Sequence, residues 1–334
     1  MSLNRPLVVL LVLLTIGIAT WRLRSGQGDD QLVRRTRIIM GTLVEITALG
    51  PDQAQLDDAL NAAFAEMSRI EELMSSHLPQ SEVSRLSAAP GPMAVSPETA
   101  SVIAQGLEIA ARSDGAFDLG LGRLIAAWDI LGEHPKVPSA AAIAAALQGV
   151  GPGDIQLSGQ TVSKSRPDLA MDLGSIAKGY AVDRACQLLR ERGISHASVN
   201  AGGDLMLIGD REGRPWRIGI QHPRKPGEVL ALVELNGGSI VTSGDYERFF
   251  EQDGVRYHHL LDPATGQPAR GCQSVTVVAP NATLADALAT AAFVLGPEKG
   301  LRFLHQWPGV EGIIVDAAGK AVVTAGLKDR VTWP

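Results

Sequence analysis

Ala197–Ile208 reads ASVNAGGDLMLI. Two strand-like runs, Ala197–Asn200 and Asp204–Ile208, flank Ala201-Gly202-Gly203, and so short a Gly-Gly connection joins neighbouring antiparallel strands. More such runs follow at Trp216–Gln221, Val229–Leu235, Ser239–Thr242, Arg256–Leu261 and Ser274–Ala279. Helical periods come in blocks between groups of strands and do not alternate with single strands. That order predicts an α+β fold with mixed antiparallel sheets and packed helices, not a doubly wound parallel sheet.

Working outward, Thr36–Leu49 (TRIIMGTLVEITAL) alternates apolar and polar residues like a half-buried strand. Met40-Gly41-Thr42 interrupts it, and an interior glycine suggests close approach of a ligand or another backbone. Leu56, Leu60, Phe64, Met67, Ile70 and Leu73 keep helical spacing over Ala54–Met74. Ser81–Leu86 reads as a polar turn. Further helices are expected over Pro97–Ser113, stopped by Asp114-Gly115, and over Ala140–Leu147, Ile176–Arg192 and Leu284–Leu295. Asp154–Ser165 and Asp168–Asp172 read as strands around turns.

The chain has 334 residues with 30 Lys and Arg against 36 Asp and Glu, a net charge of −6. This balance argues against broad nucleic-acid binding, which needs a basic face. The two cysteines, Cys186 and Cys272, are too few for a zinc cluster and read as buried thiols, with a single disulfide left open. Leu7–Trp21 is nearly all apolar and is flanked by Arg5, Arg22 and Arg24. It is shorter than the ~20 residues of a comfortable bilayer span and fits a signal-peptide core. Residues 1–24 are therefore expected to be a signal peptide or membrane anchor, 25–35 a linker and 36–334 the folded domain. The expected location is exported and periplasmic, either associated with the inner membrane or released after cleavage.

Three constellations carry candidate chemistry. In MDLGSIAKGYAVDR (Met171–Arg184) a turn at Gly174 leads into a helix whose free amides and Lys178 suit an anion. A Ser175 N-cap with a surface lysine explains the same residues equally well. In NATLADALAT (Asn281–Thr290), Asp286 and Thr290 share a helix face, and a carboxylate plus a hydroxyl suits Mg²⁺. The competing reading is a capping box, Thr283 with Asp286. In YHHLLDPATG, His258 and His259 must face opposite ways on a strand, so only one can enter a given cleft.

Taken in order, MGTLVEI, SEVSRL, GAFDLGLGRLIAAW, MDLGSIAKGYAVDRA, VNAGGDL, TSGDYERFF, YHHLLDPATG and ATLADALATAAFVLG resemble the ApbE family of FAD:protein FMN transferases, from residue 38 to about 296. The resemblance implies a T-fold-like domain and a Mg²⁺-dependent enzyme. Its reaction splits FAD, passes FMN to a Ser or Thr hydroxyl of an acceptor protein, and releases AMP. The implied acceptor is a membrane electron-transfer subunit, and the N-terminus would contact the membrane if uncleaved. The resemblance places Mg²⁺ on Asp286, Thr290 and the Ser175 carbonyl. Asp172 and Lys178 are implied to contact FAD, with Met40, Ala116, Phe117, Asp118 and Leu260 lining its pocket. His259 is the candidate base for the acceptor hydroxyl. Where the family usually has tyrosine, this chain has His77, whose ring offers less stacking area. Two other readings fit the same motifs. FAD hydrolysis would leave FMN free, and a non-catalytic FAD-binding protein would release no AMP.

Overall fold

A computed structural model describes residues 31–334 except 131, 133, 134 and 212. The expected signal or anchor segment lies outside the described residues. The central feature is an eight-stranded sheet whose strands follow the chain order. They are β1 (Gln31–Ile39), β2 (Thr42–Gly50), β3 (His196–Ala201), β4 (Asp204–Ile208), β5 (Gly238–Gly244), β6 (Cys272–Ala279), β7 (Glu311–Asp316) and β8 (Ala321–Val323). Every neighbouring pair is antiparallel, as the Gly-Gly hairpin anticipates.

One face of the sheet packs on helices. Three of them are α1 (Gln53–Met74), α2 (Ala177–Glu191) and α3 (Ala282–Leu295). Phe64 of α1, Val182 of α2 and Phe293 of α3 are fully buried in this core. Burying a side chain of that size contributes roughly 1.5–3 kcal/mol. The other face, with Leu49, Leu205, Leu207, Ile240, Val278 and Ile313, is covered by a three-stranded sheet of Trp216–Gln221, Val229–Leu235 and Val331–Thr332. β4 is buried along its whole length because both faces are covered.

Several local expectations change. Thr36–Leu49 is not one strand but parts of two, and the break falls at Met40-Gly41. Met40 and Gly41 form the two-residue turn of the β1–β2 hairpin, with φ of 54° and 65° and register Ile39↔Thr42, as tight hairpins require. Gln31–Arg35, expected in the linker, are the first half of β1. Ser81–Leu86 is no turn: the Ser81 hydroxyl caps a helix over Glu82–Ala88. Asp168–Asp172 is not a strand, because its backbone groups are taken by non-strand partners. The Lys164 ammonium donates to the carbonyls of Pro167 and Leu169, the Met171 amide to Ser87 Oγ, and the Asp172 amide to the Leu119 carbonyl. Both cysteines are free and buried, and burial pushes the Cys272 thiol up to about 12. No helix among the described residues is long and apolar enough to cross a membrane.

Candidate active site

The connections at one end of the sheet converge. The Met40-Gly41 turn lies beside the Gly202-Gly203 turn: the Gly202 amide donates to the Leu43 carbonyl at 3.2 Å. A Cβ on Gly202 would stand 2.1 Å from Thr42 Oγ1, so only glycine lets the two turns touch. β4 leaves this turn at Asp204, and β5 ends at the same edge with Ser243 and Gly244.

Helices α2 and α3 cross over this end at Gly179. A Cβ there would lie 2.3 Å from the Ala282 carbonyl oxygen. Two carboxylates tie the crossing. Asp183 of α2 accepts from the amides of Ala282 (2.7 Å) and Thr283 (2.8 Å) and from the Thr283 hydroxyl (2.5 Å). In return, Asp286 of α3 accepts from the Gly179 amide at 3.1 Å. A regular helix would give that amide to the Ser175 carbonyl. Here the Ser175 carbonyl receives no backbone hydrogen bond among the described residues.

These contacts remove both competing readings. Asn281, not Thr283, caps α3 by accepting from the Leu284 amide, so Thr283 and Asp286 are not a capping box. Ser175 does not cap α2 with its side chain, and Lys178 is no surface lysine. Lys178 forms an ion pair with Asp204, which is 1% exposed. Burial works against the Lys178 charge, but Asp204 and Asp286 outweigh it and hold the amine above its usual value. Burial first, then Asp286, push the Asp204 carboxyl well up. Thr290 stands one turn past Asp286, its hydroxyl 3.5 Å from Ser243 Oγ.

His258 is the last residue of the strand Val255–His258, and His259 follows it outside the strand, its amide donating to the Arg248 carbonyl. His258 is buried, donates from Nε2 to the Ala269 carbonyl at 2.8 Å and meets Phe293 edge-on. His259 lies where it senses Arg248 and Lys178. Its Nδ1 faces the Arg248 carbonyl at 3.3 Å. A carbonyl only accepts, so Nδ1 carries the proton and Nε2 keeps its lone pair. Burial, then Arg248 and His258, push this imidazole down to about 3. Burial likewise pushes the Glu247 carboxyl up to about 7, against Lys178.

Comparisons with known proteins bear directly on this arrangement. The family model described as the ApbE family matches residues 40–314. The chain belongs to the ApbE family. An FAD:protein FMN transferase of Treponema pallidum is 34% identical over 92% of this chain and 91% of that relative. One from Klebsiella pneumoniae is 36% identical over 80% of this chain and 79% of its own length. The crystal structure of the ApbE protein of Thermotoga maritima superposes with a TM-score of 0.83 at 36% identity, covering 90% of this chain and 99% of that one.

Among the residues that the ApbE resemblance nominates, the structure gathers Lys178, Ser175, Asp286 and Thr290 around the α2–α3 crossing, while His259 is held by the Arg248 carbonyl and lies near enough for the Lys178 charge to bear on it. Met40 adjoins them through the paired turns. Asp172 is linked to the His77 loop, since its carboxylate accepts from Ser76 Oγ at 2.6 Å; His77 itself is exposed. Ala116–Asp118 reach the same neighbourhood only indirectly, through the Leu119–Asp172 hydrogen bond. Phe117 is buried in the main core, and Asp118 lines a separate cavity of about 120 Å³ beside Leu107 and Pro152. Leu260 is buried and fixes its neighbour through a bond from the Ala269 amide. The sequence reading missed Asp183, Asp204 and Glu247. All three lay inside the quoted motifs. A carboxylate opening a fully apolar strand was the available signal for Asp204.

Among the described residues no three His, Cys, Asp or Glu side chains are placed to hold a metal together. A cation here would draw on carboxylate, hydroxyl and carbonyl oxygens and on substrate. That is how Mg²⁺ is usually held, and the Ser175 carbonyl, left unclaimed because Asp286 takes its usual donor, fits it.

Proposed function

We propose that this protein is an FAD:protein FMN transferase: it moves FMN from FAD to a Ser or Thr hydroxyl of an acceptor protein, with Mg²⁺ and with release of AMP. The observation that carries this reading is the α2–α3 crossing. An oxygen-ligand set and an anchored ammonium at that crossing, with a histidine whose Nε2 lone pair is free and on which the ammonium's charge bears, support it.

Asp286, Thr290 and the Ser175 carbonyl would hold Mg²⁺, which when bound neutralises charge on the diphosphate oxygens. Lys178, fixed by Asp204, presents its ammonium to the same diphosphate. His259 Nε2 takes the proton of the acceptor hydroxyl as that oxygen bonds to the FMN phosphorus. The bond from that phosphorus to the bridging oxygen breaks, and AMP leaves with the oxygen. An imidazole pushed down to about 3 is neutral at physiological pH, so its lone pair is available. The negative charge of bound FAD makes it more basic. Met40 at the hairpin turn, and the His77 loop beyond Asp172, bound the space for the flavin nucleotide. The apolar run Leu7–Trp21 supports an exported location, where a membrane electron-transfer subunit would be the acceptor.

The test is to incubate the full chain with FAD, Mg²⁺ and a flavoprotein domain bearing an acceptor Thr. A fluorescent protein band and AMP released in equal amount are expected. AMP without a labelled protein would leave a hydrolase, and neither product would overturn the reading. Asp286→Ala should lose at least about 100-fold in rate, on the order of 2.7 kcal/mol; full activity would remove Asp286 from the cation site.

A further inference from the structure

Asp204 uses only one of its two oxygens. Oδ1 is ion-paired with Lys178. Oδ2 is buried and has no hydrogen-bond partner among the described residues. The Asp286 carboxyl is held at the same place, because Oδ2 of Asp286 accepts from the amide of Gly179, the residue next to Lys178, and its charge bears on Asp204. Two carboxylates facing each other in a site closed to water repel, and a buried acceptor without a donor is costly to keep. Lys178 supplies one positive charge for the two of them. An ion pair serving only to hold β4 against α2 would need neither the second oxygen nor a facing carboxylate. The arrangement is one cation short.

We infer that Asp204 is a cation-positioning residue. Its unpartnered Oδ2 and the Asp286 carboxylate grip the divalent ion between them, directly or through one of its waters. Oδ1 meanwhile holds the Lys178 ammonium beside the ion. This assignment rests on the cation site proposed above and adds to it a residue from the sheet. The two helices would then set one side of the site and the Gly202-Gly203 hairpin the other.

Mn²⁺ binding to the purified full chain without FAD, read from the loss of the free-ion electron paramagnetic resonance signal, tests the assignment without any turnover. Asp204→Asn keeps the shape and removes the charge, and should weaken Mn²⁺ at least tenfold. Asp204→Glu restores the charge and should recover most of that loss, which a purely structural role would not give. Lys178→Met is a second probe should Asp204→Asn fail to fold. With its competing ammonium gone, Asp204 should bind Mn²⁺ at least threefold more tightly. The assignment is overturned by Asp204→Asn binding within twofold of wild type, by Lys178→Met binding no tighter than wild type, or by a wild-type chain that takes up no Mn²⁺. A wild-type chain that transfers no flavin, yet keeps the tenfold difference, would overturn the proposed activity and still support the role of Asp204.

Discussion

Gly179→Ala tests the helix crossing on which the site depends. In an exposed helix this change would stabilise by about 1 kcal/mol, because alanine is the better helix former. At this position the new Cβ would lie 2.3 Å from the Ala282 carbonyl oxygen, 2.6 Å from its carbon and 2.9 Å from Thr283 Cα. All three are backbone atoms, so no side chain can swing aside. Ordinary contact needs about 3.5 Å, so the helices must separate by roughly 1 Å. That shift stretches the Gly179–Asp286 bond of 3.1 Å and the three bonds to Asp183, which run from 2.5 to 2.8 Å. Overpacking costs about 1–3 kcal/mol, and a strained hydrogen bond to a charged group up to about 1.5–3 kcal/mol. After subtracting the helix gain, a net loss of about 3 kcal/mol is expected. By the usual scaling this lowers Tm by roughly 6–12 °C. Differential scanning calorimetry reads the loss, and Mn²⁺ titration of the same sample should show weaker binding because Asp286 has moved. A variant that melts at or above the wild-type temperature with unchanged Mn²⁺ affinity would refute the reasoning.

Two further outcomes are expected. His258 and His259 are pushed down to about 4 and about 3, so between those values and about 6.5 the unfolded chain binds more protons than the folded one. Stability is therefore full above about pH 6.5 and falls as pH drops through 6 toward 4. For buried His258 the loss is roughly 3 kcal/mol, and urea midpoints should move less with pH in His258→Gln than in wild type; equal slopes would count against it. Met40→Gly relieves a non-glycine residue at φ 54° and should be neutral or raise stability by about 1 kcal/mol. It should also weaken FAD binding, measured by flavin fluorescence quenching. Lower stability with unchanged FAD affinity would mean that Met40 serves packing alone.

Much of the fold was readable because short-range signals carried it. The Gly-Gly turn fixed the β3–β4 hairpin, and the apolar spacing of Leu56 to Leu73 found α1. Long-range hydrogen bonding explains most of what was not readable. Asp168–Asp172 has strand-like composition, yet its partners are Ser87, Leu119 and Lys164. The pair Thr283 and Asp286 imitates a capping box, but each is claimed by α2, around a hundred residues earlier. Asp204 and Lys178 meet only because α2 lies over the end of β4. Motif spacing brought the right segments to notice; which carboxylate faces which cation is decided by the crossing.

The hairpin of Phe249–Gln252 and Val255–His258 turns at Asp253-Gly254 and runs straight into His259. Side chains alternate along such a ribbon, so the frame in which it is threaded decides which imidazole looks out and which is locked against Phe293. Adding or deleting one residue after the turn would trade their places while leaving both histidines in the chain. Length drift in this ribbon should therefore come in steps of two. An odd step would silence the protein without touching a single reactive group.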